Sequence, residues 1–168
     1  MILNTRGKEH LNKTMKINGY EIKPFAVIRE CYLENADLQD INLEGIEIKS
    51  ANLQGANFSG SNLRGSDLEG SKIENATLKN TNLIYSNLKN CNLRSADLSY
   101  ANLEGANLRN SNLGCANLEG ANLSGACLQG TNLEAANLAN ANLQGSYIKY
   151  ANFRGVNLEG TILNGAIE

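Results

Sequence analysis

The sequence predicts an all-β solenoid, and three observations carry this prediction. A large apolar residue, which we call the central residue, recurs at every fifth position from Ile28 to Leu163 and is Leu in 22 of 28 repeats. The residue two positions before it is small in 25 repeats. The residue two positions after it is Gly in 13 repeats and Asn in six. Such strict internal repetition is typical of chains whose units are stable only when stacked.

A repeat of five residues excludes both regular elements. On an α-helix, five steps of about 100° rotate the side chain by about 140°, so the central residues would point in all directions. On an uninterrupted strand, an odd period sends alternate central residues to opposite faces. An extended segment of about three residues followed by a turn keeps every central residue inside a tube.

Each position of the repeat then has a predicted role. The small residue and the central residue both point inward, because side chains two apart on an extended segment share a face. The residue between them points outward, and it is Asn in 17 repeats and Asp in three. Gly and Asn after the central residue tolerate the positive φ of a corner. The backbones of successive coils then pair at about 4.8 Å.

The repeat resembles that of a known family. Residues 101–110, for example, read ANLEGANLRN, and this is similar to the A-(D/N)-L-x-x unit of the pentapeptide-repeat family. The resemblance implies a right-handed quadrilateral β-helix with four pentapeptides per coil. The 28 repeats would then form about seven coils and a rod of roughly 34 Å at the inter-strand spacing.

The chain divides into an N-terminal cap segment, residues 1–25, and the β-helix, residues 26–168. The open end of a solenoid exposes unpaired backbone groups and apolar side chains, so a short non-repeating segment is expected to cover it. Within the cap, residues 5–13 are compatible with a short helix that has Thr5 as its N-cap. A strand or small hairpin is expected about Asn18 and Gly19.

Composition limits the functions that the chain could have. A net charge of −2 and a pI near 5.5 argue against binding of nucleic acids or anionic membranes. No apolar run is long enough to span a membrane. The N-terminal residues lack the layout of a signal peptide, so the sequence predicts a cytoplasmic protein. Cys31 and Cys91 lie three coils apart, about 14 Å, which is too far for a disulfide.

The sequence predicts no catalytic, cofactor-binding or metal site. His10 is the only histidine, and it lies in the cap segment. Asp37, Asp67 and Asp97 recur at thirty-residue intervals, which is one and a half coils, so Asp67 should lie on the side opposite to the other two. They therefore form neither a carboxylate pair nor a metal cluster. We expect a protein that is not an enzyme.

Charge is distributed unevenly around the predicted tube. Residues 20 apart stack into columns, and one column directly after the central residue is mostly basic. This basic stripe contains Arg29, Lys49, Lys89, Arg109 and Lys149, interrupted by Glu69 and Gln129. The opposite face carries Asp37, Asp40, Asp97, Glu119 and Glu159 against only Lys79. We interpret the stripe as a docking strip for an unidentified partner protein. The alternative is charge that only keeps a regular β surface soluble.

Two apolar features add candidate contacts. Ile84 and Tyr85 occupy turn positions and are predicted to form an exposed apolar pair. The repeat continues almost to the last residue with no capping helix after it, so the final coil should leave apolar groups uncovered. These are Leu158, Ile162, Leu163 and Ile167. We predict weak end-to-end pairing of two copies through this coil.

The sequence therefore favours a non-enzymatic structural or protein-interaction scaffold whose specific role is undetermined. The resemblance also raises an alternative, because some pentapeptide-repeat proteins protect DNA gyrase from quinolones as acidic rods that mimic duplex DNA. Residues 26–165 contain ten basic and fourteen acidic residues, a net charge of only −4. DNA carries one negative charge per ~1.7 Å. The register also has no insertion for a projecting loop, so the alternative is disfavoured.

Overall fold

The computed structural model describes residues 15–167, and its backbone winds as a β-helix. Its two named strands, β1 (Met15–Ile17) and β2 (Tyr20–Ile22), form a hairpin, and the described residues contain no helix. Beyond the hairpin, isolated parallel bridges join residues 20 apart, from Val27–Glu47 to Tyr147–Ile167. An offset of 20 residues is the length of four pentapeptides. Each coil therefore has four faces, as the resemblance implies.

We number the coils and faces for reference. Coil 1 is residues 26–45, and the following 20-residue spans are coils 2 to 7, ending at residue 165. Faces 1, 2, 3 and 4 are those whose central residues in coil 1 are Ile28, Leu33, Leu38 and Leu43. Face 1 is opposite face 3, and face 2 is opposite face 4. The hand of the helix stays a prediction.

The core is a column of central residues along the axis of the tube. Every central residue from Leu33 to Leu143 is at most 1% exposed. The small residues fit beside them, and Ala56, for example, is fully buried. Where the small residue is Thr, its hydroxyl donates to a carbonyl of the preceding coil, as Thr81 Oγ1 does to Phe58 O at 2.8 Å. At the Thr positions, the same side chain therefore fills the slot and satisfies its own hydroxyl, whereas the buried hydroxyls of Ser66, Ser86 and Ser146 have no partner within residues 15–167.

The backbone ladder uses three of the five N–H groups in each repeat. The N–H of Leu33 donates to Asn52 O in the next coil at 2.8 Å, and the N–H of Asn52 donates back to Cys31 O at 2.9 Å. The N–H of the corner residue also donates to a carbonyl oxygen of the next coil. All 28 corner residues from Glu30 to Gly165 have φ between +52° and +71°. The predicted positive-φ corners are therefore confirmed.

The outward Asn residues have a second role, which the sequence reasoning missed. The Oδ1 atom of Asn117 accepts the N–H of Glu119 at 3.2 Å, so the side chain satisfies a backbone group of its own turn. Its Nδ2 donates to Asp97 Oδ1 at 3.2 Å, and Asn137 Nδ2 donates to its Oδ1 at 3.1 Å. We call such a column of stacked amides an Asn ladder. It joins successive coils outside the core.

A β-hairpin covers the first coil. Asn18 and Gly19 both have positive φ, 51° and 85°, which is the pattern of a two-residue type I′ turn. Ile22 is 1% exposed, and Met15, Ile17 and Tyr20 pack partly buried against the core.

The expected hairpin about Asn18 and Gly19 is therefore confirmed. The helix predicted for residues 5–13 lies outside the described residues, and the domain boundary after residue 25 stays a prediction. Within residues 15–167, no helix has the length and apolar character needed to cross a membrane.

Candidate interaction surfaces

Ion pairs divide the basic stripe on face 1 into two halves. Lys49 Nζ lies 2.7 Å from Asp67 Oδ2, and Lys89 Nζ lies 3.2 Å from Glu69 Oε1. The hydrogen bond from Lys49 to Asp67, together with the carboxylate's charge, raises the pKa of Lys49 above its ordinary value. The middle of the stripe is therefore largely neutralised by acids of its own face.

The C-terminal half of the stripe has no acid beside it. In coils 4 to 7, face 1 contains no Asp or Glu, and neither Arg109 nor Lys149 forms an ion pair within residues 15–167. Lys149 Nζ lies 5.2 Å from the centre of the Tyr150 ring, a cation–π contact. Tyr147 and Tyr150 are 51% and 78% exposed. This half combines uncompensated positive charge with exposed aromatic area.

Face 3 carries the opposite charge. Asp97 Oδ1 accepts the N–H of Ser99 at 3.0 Å, and Glu119 Oε1 accepts the hydroxyl of Tyr100 at 3.3 Å. No acid of this face forms an ion pair with a described cation. The acids are Asp37, Asp40, Asp97, Glu119 and Glu159. The structure thus places them, as the sequence predicts, on the face opposite to the basic stripe.

The predicted apolar pair of Ile84 and Tyr85 needs correction. Ile84 is half-buried rather than exposed, because the residues at the same position of the adjacent coils lie only about 4.8 Å away. Tyr85 is 60% exposed, but its ring lies over Gly105, and the Arg64 guanidinium stands 5.4 Å from its centre. The ring therefore already contacts its own chain on two sides.

The last coil leaves its apolar side chains accessible. Leu158 and Leu163 are each 40% exposed, and Ile162 and Ile167 are 47% and 49% exposed. The N–H groups of Phe153, Leu158 and Leu163 have no backbone acceptor within residues 15–167. The described end of the tube therefore presents both apolar area and unpaired donors.

Comparison with known proteins settles the family. The family model described as Pentapeptide repeats matches in 8 copies, over residues 26–70, 61–99, 86–125, 101–138 and 126–165. The chain belongs to the pentapeptide-repeat family. A comparison with curated proteins returned no significant match.

Solved pentapeptide-repeat structures resemble the chain to different degrees. HetL from the cyanobacterium Nostoc sp. strain PCC 7120, described as involved in heterocyst differentiation regulation, is 26% identical over 94% of this chain and 89% of its own, with a TM-score of 0.36. A trypsin-treated variant of QnrB1, a plasmid-mediated fluoroquinolone resistance protein, is 23% identical over 83% and 81%, with a TM-score of 0.50. A thylakoid-lumen protein from Arabidopsis thaliana is 28% identical over 64% and 68%, with a TM-score of 0.42. At these levels QnrB1 supports the fold alone.

The described part of the pentapeptide-repeat tube has an open depression at its last coil. This depression has a volume of about 520 Å³ and lies beside Lys149, Tyr150 and Phe153. No group of three potential metal ligands occurs in that part of the chain. Burial raises the pKa of Cys31 to about 11 and that of Cys91 to about 12, so both thiols stay protonated near neutral pH. All four cysteines are free, including Cys31 and Cys91, which the sequence places too far apart for a disulfide.

The sequence reasoning on this pentapeptide-repeat surface missed the ion pairs within face 1. Their column positions place Asp67 and Glu69 on face 1 but do not give their distances to Lys49 and Lys89. The signal was present in the spacing. Lys89 follows Glu69 by 20 residues and Asp67 follows Lys49 by 18, and both offsets bring side chains of adjacent coils together.

Proposed function

We propose that this pentapeptide-repeat protein is a non-enzymatic, cytoplasmic scaffold that docks a partner protein along face 1. The observation that supports it is the acid-free half of the basic stripe, where Arg109 and Lys149 have no intramolecular counter-ion among the described residues. A side chain without an internal partner is free to pair with an acidic group of another molecule. The exposed rings of Tyr147 and Tyr150 supply apolar contact area in the same place.

The test is a pull-down from the native cell with two charge-reversed variants. The first reverses Lys89, Arg109 and Lys149 to Glu, and the second, a matched control, reverses Lys72, Arg94 and Arg154 on face 2. Both variants have the same net charge. The proposal expects face 1 partners to be lost with the first variant and retained with the second. Equal recovery with both variants would refute it.

We also propose that two copies pair weakly end to end through coil 7. Exposure of Leu158 and Leu163 supports this, together with the unpaired N–H groups beside them. Light scattering at high micromolar concentration should show dimers, and Leu158→Glu with Leu163→Glu should abolish them. A strictly monomeric wild-type protein under these conditions would exclude the pairing.

The gyrase-binding alternative has less support. The net charge of −4 over residues 26–165 and the basic stripe differ from the continuous negative charge of duplex DNA. The likeness to QnrB1, at 23% identity, supports the fold alone. Inhibition of gyrase supercoiling by stoichiometric amounts of the protein would reverse this judgement.

A further inference from the structure

The charges of face 1 and face 3 are complementary coil by coil. Summed over its five positions in each coil, the charge of face 1 is positive in coils 4, 5 and 7, negative in coil 3 and zero in coils 1, 2 and 6, because Glu30 and Glu47 offset Arg29 and Lys49. On face 3, the charge is negative in coils 1, 4, 5 and 7, positive in coil 3 and absent in coils 2 and 6. Four coils, 3, 4, 5 and 7, therefore carry opposite net charges on opposite faces, and no coil carries the same sign on both.

The exception in coil 3 is the informative one. There face 1 reverses its sign at Glu69, and face 3 reverses its sign in the same coil at Lys79. A general separation of positive and negative charge would not predict this double reversal. It is the pattern expected when one face is matched to the other.

Coils 2 and 6 fit the same scheme. Lys49 of coil 2 is already paired with Asp67 at 2.7 Å, so this part of face 1 needs no external acid, and face 3 offers Ser59 there. In coil 6 both faces are neutral, with Gln129 on face 1 and Ala139 on face 3. In both coils, neither face carries a net charge.

We propose that the partner of face 1 includes face 3 of a second copy, with the two rods side by side and parallel. Because the faces lie opposite each other on the tube, a sideways translation of one copy brings them together. Matching residues are about ten apart in sequence, half a coil, which is an axial shift of only about 2.4 Å. This inference rests on the proposed function, since it assigns a partner to the same stripe.

Other arrangements bring like charges together. In an antiparallel pair, coil 3 of one copy meets coil 5 of the other, which places Glu69 against Glu119 and Arg109 against Lys79. A parallel pair shifted by one coil places Glu69 against Asp97 and Lys49 against Lys79. Like charges in direct apposition are destabilising, so the in-register parallel pair is selected by exclusion as well as by attraction.

The central contact is a square of four charges. Glu69 and Lys89 already lie 3.2 Å apart on face 1, and Lys79 and Asp97 of the second copy would face them with alternating sign. Networks of this kind hold better than isolated surface pairs, which are individually weak and screened by salt. The contact is also heterologous, so each added copy leaves a free face 1 and a free face 3, and rows can grow without closing.

Sedimentation of the purified protein at low ionic strength tests the register. The variants are Glu69→Lys, Lys79→Glu and the double variant, with net charges of 0, −4 and −2, and Glu104→Lys on face 4 is a control with net charge 0. Each single variant creates a like-charge contact and should lower the association constant about three- to tenfold. The double variant restores opposite charges and should recover it, while Glu104→Lys should leave it unchanged.

The outcomes separate this inference from its competitors. If net charge alone governed association, Glu69→Lys would strengthen it as much as Glu104→Lys, and that result would overturn the register. A wild-type protein that remains monomeric at low salt would also overturn it, while leaving partner-protein docking intact. Conversely, a pull-down in which both variants recover the same partners would refute docking of a partner protein. It would leave the sedimentation result for the purified protein unchanged. The background Leu158→Glu with Leu163→Glu removes end-to-end pairing from every sample and lowers each net charge by two.

Discussion

Leu143 and Leu163 occupy the same slot of the same face in successive coils, yet their surroundings differ. Leu143 is fully buried, and its N–H donates to Ile162 O at 2.7 Å. Leu163 is 40% exposed, and its N–H has no backbone acceptor within residues 15–167. The two pentapeptides have almost the same pattern, so the difference comes from the coil that follows. Burial in this fold is supplied by the neighbouring coil rather than by the local sequence.

Removing a central side chain should show the largest difference between the two regions. Leu103→Ala leaves a cavity in a fully buried column and should cost about 2–5 kcal/mol of the free energy of unfolding. Leu163→Ala removes a side chain that is already 40% exposed and should cost about 1 kcal/mol or less. Urea denaturation of both variants measures this contrast. Equal losses would mean that the last coil is covered in solution.

The corner glycines should show the next largest difference. Gly105 has a φ of +62°, and a Cβ there would lie 2.5 Å from a ring carbon of Tyr85. Gly165 has a φ of +71°, and its nearest neighbour to an added Cβ is Gly145 N at 3.9 Å. Gly165→Ala should cost about 1 kcal/mol for backbone strain alone, and Gly105→Ala should cost about 2–3 kcal/mol because the ring must also move.

A double-mutant cycle checks the role of the ring. In the Tyr85→Ala background, Gly105→Ala should cost no more than Gly165→Ala, as judged by thermal unfolding. If Gly105→Ala still cost about 2–3 kcal/mol in that background, the loss would come from the backbone and not from the ring.

The Asn ladder should show a smaller difference. Asn117→Ala removes three hydrogen bonds, to Asp97, Asn137 and the N–H of Glu119, whereas Asn157→Ala in the last coil removes two. At the lower end of the usual range per bond, we expect losses of about 1.5 and about 1 kcal/mol. Chemical denaturation of the two variants gives the comparison. An Asn117→Ala protein as stable as wild type would show that water replaces the ladder at no cost.

Thiol reactivity should distinguish inward slots from corners without changing stability. Cys115 is exposed at a corner, while Cys91 is 2% exposed and its Sγ lies 3.0 Å from Leu68 O. At pH 8 a disulfide reagent should modify Cys115 rapidly and Cys91 only on unfolding. The variant Cys115→Ser should lose the fast phase, and a fast phase that persists in it would contradict the assignment.

The raised pKa of Cys91 gives this contrast a pH dependence. A thiol whose pKa rises from 9.0 to about 12 on folding binds its proton more tightly in the folded state. Its stabilising effect is full below about pH 9 and is lost as the pH rises toward 12. The stability advantage of wild type over Cys91→Ala should therefore narrow on going from pH 8 to pH 11, as urea midpoints would show. If the stability difference between wild type and Cys91→Ala stayed constant from pH 8 to pH 11, the Cys91 thiol would lie in a more polar environment.

The period of five was sufficient to predict the tube, its inward slots and its corners. Central residues, small residues and corner glycines each follow from whether a side chain points in, points out or requires positive φ. The double role of Asn117 was not predictable in the same way, because it depends on which amide atom faces the neighbouring coil. The expectation that Ile84 is exposed was wrong, since column neighbours cover a side chain at 4.8 Å spacing. Pairing of Lys49 with Asp67 likewise depends on side-chain reach between adjacent coils, which the 18-residue spacing allows but does not require.

Inserting or deleting one pentapeptide would leave every later central residue in the interior, because the interior repeats every five residues. The exterior repeats every 20 residues. The same change would therefore move every later pentapeptide from its own face to the adjacent face. Groups that shared a side would be redistributed onto adjacent sides while the packing stayed as it was. Evolution or an engineer could therefore remake the outer pattern of such a rod in single steps, with little effect on whether it folds.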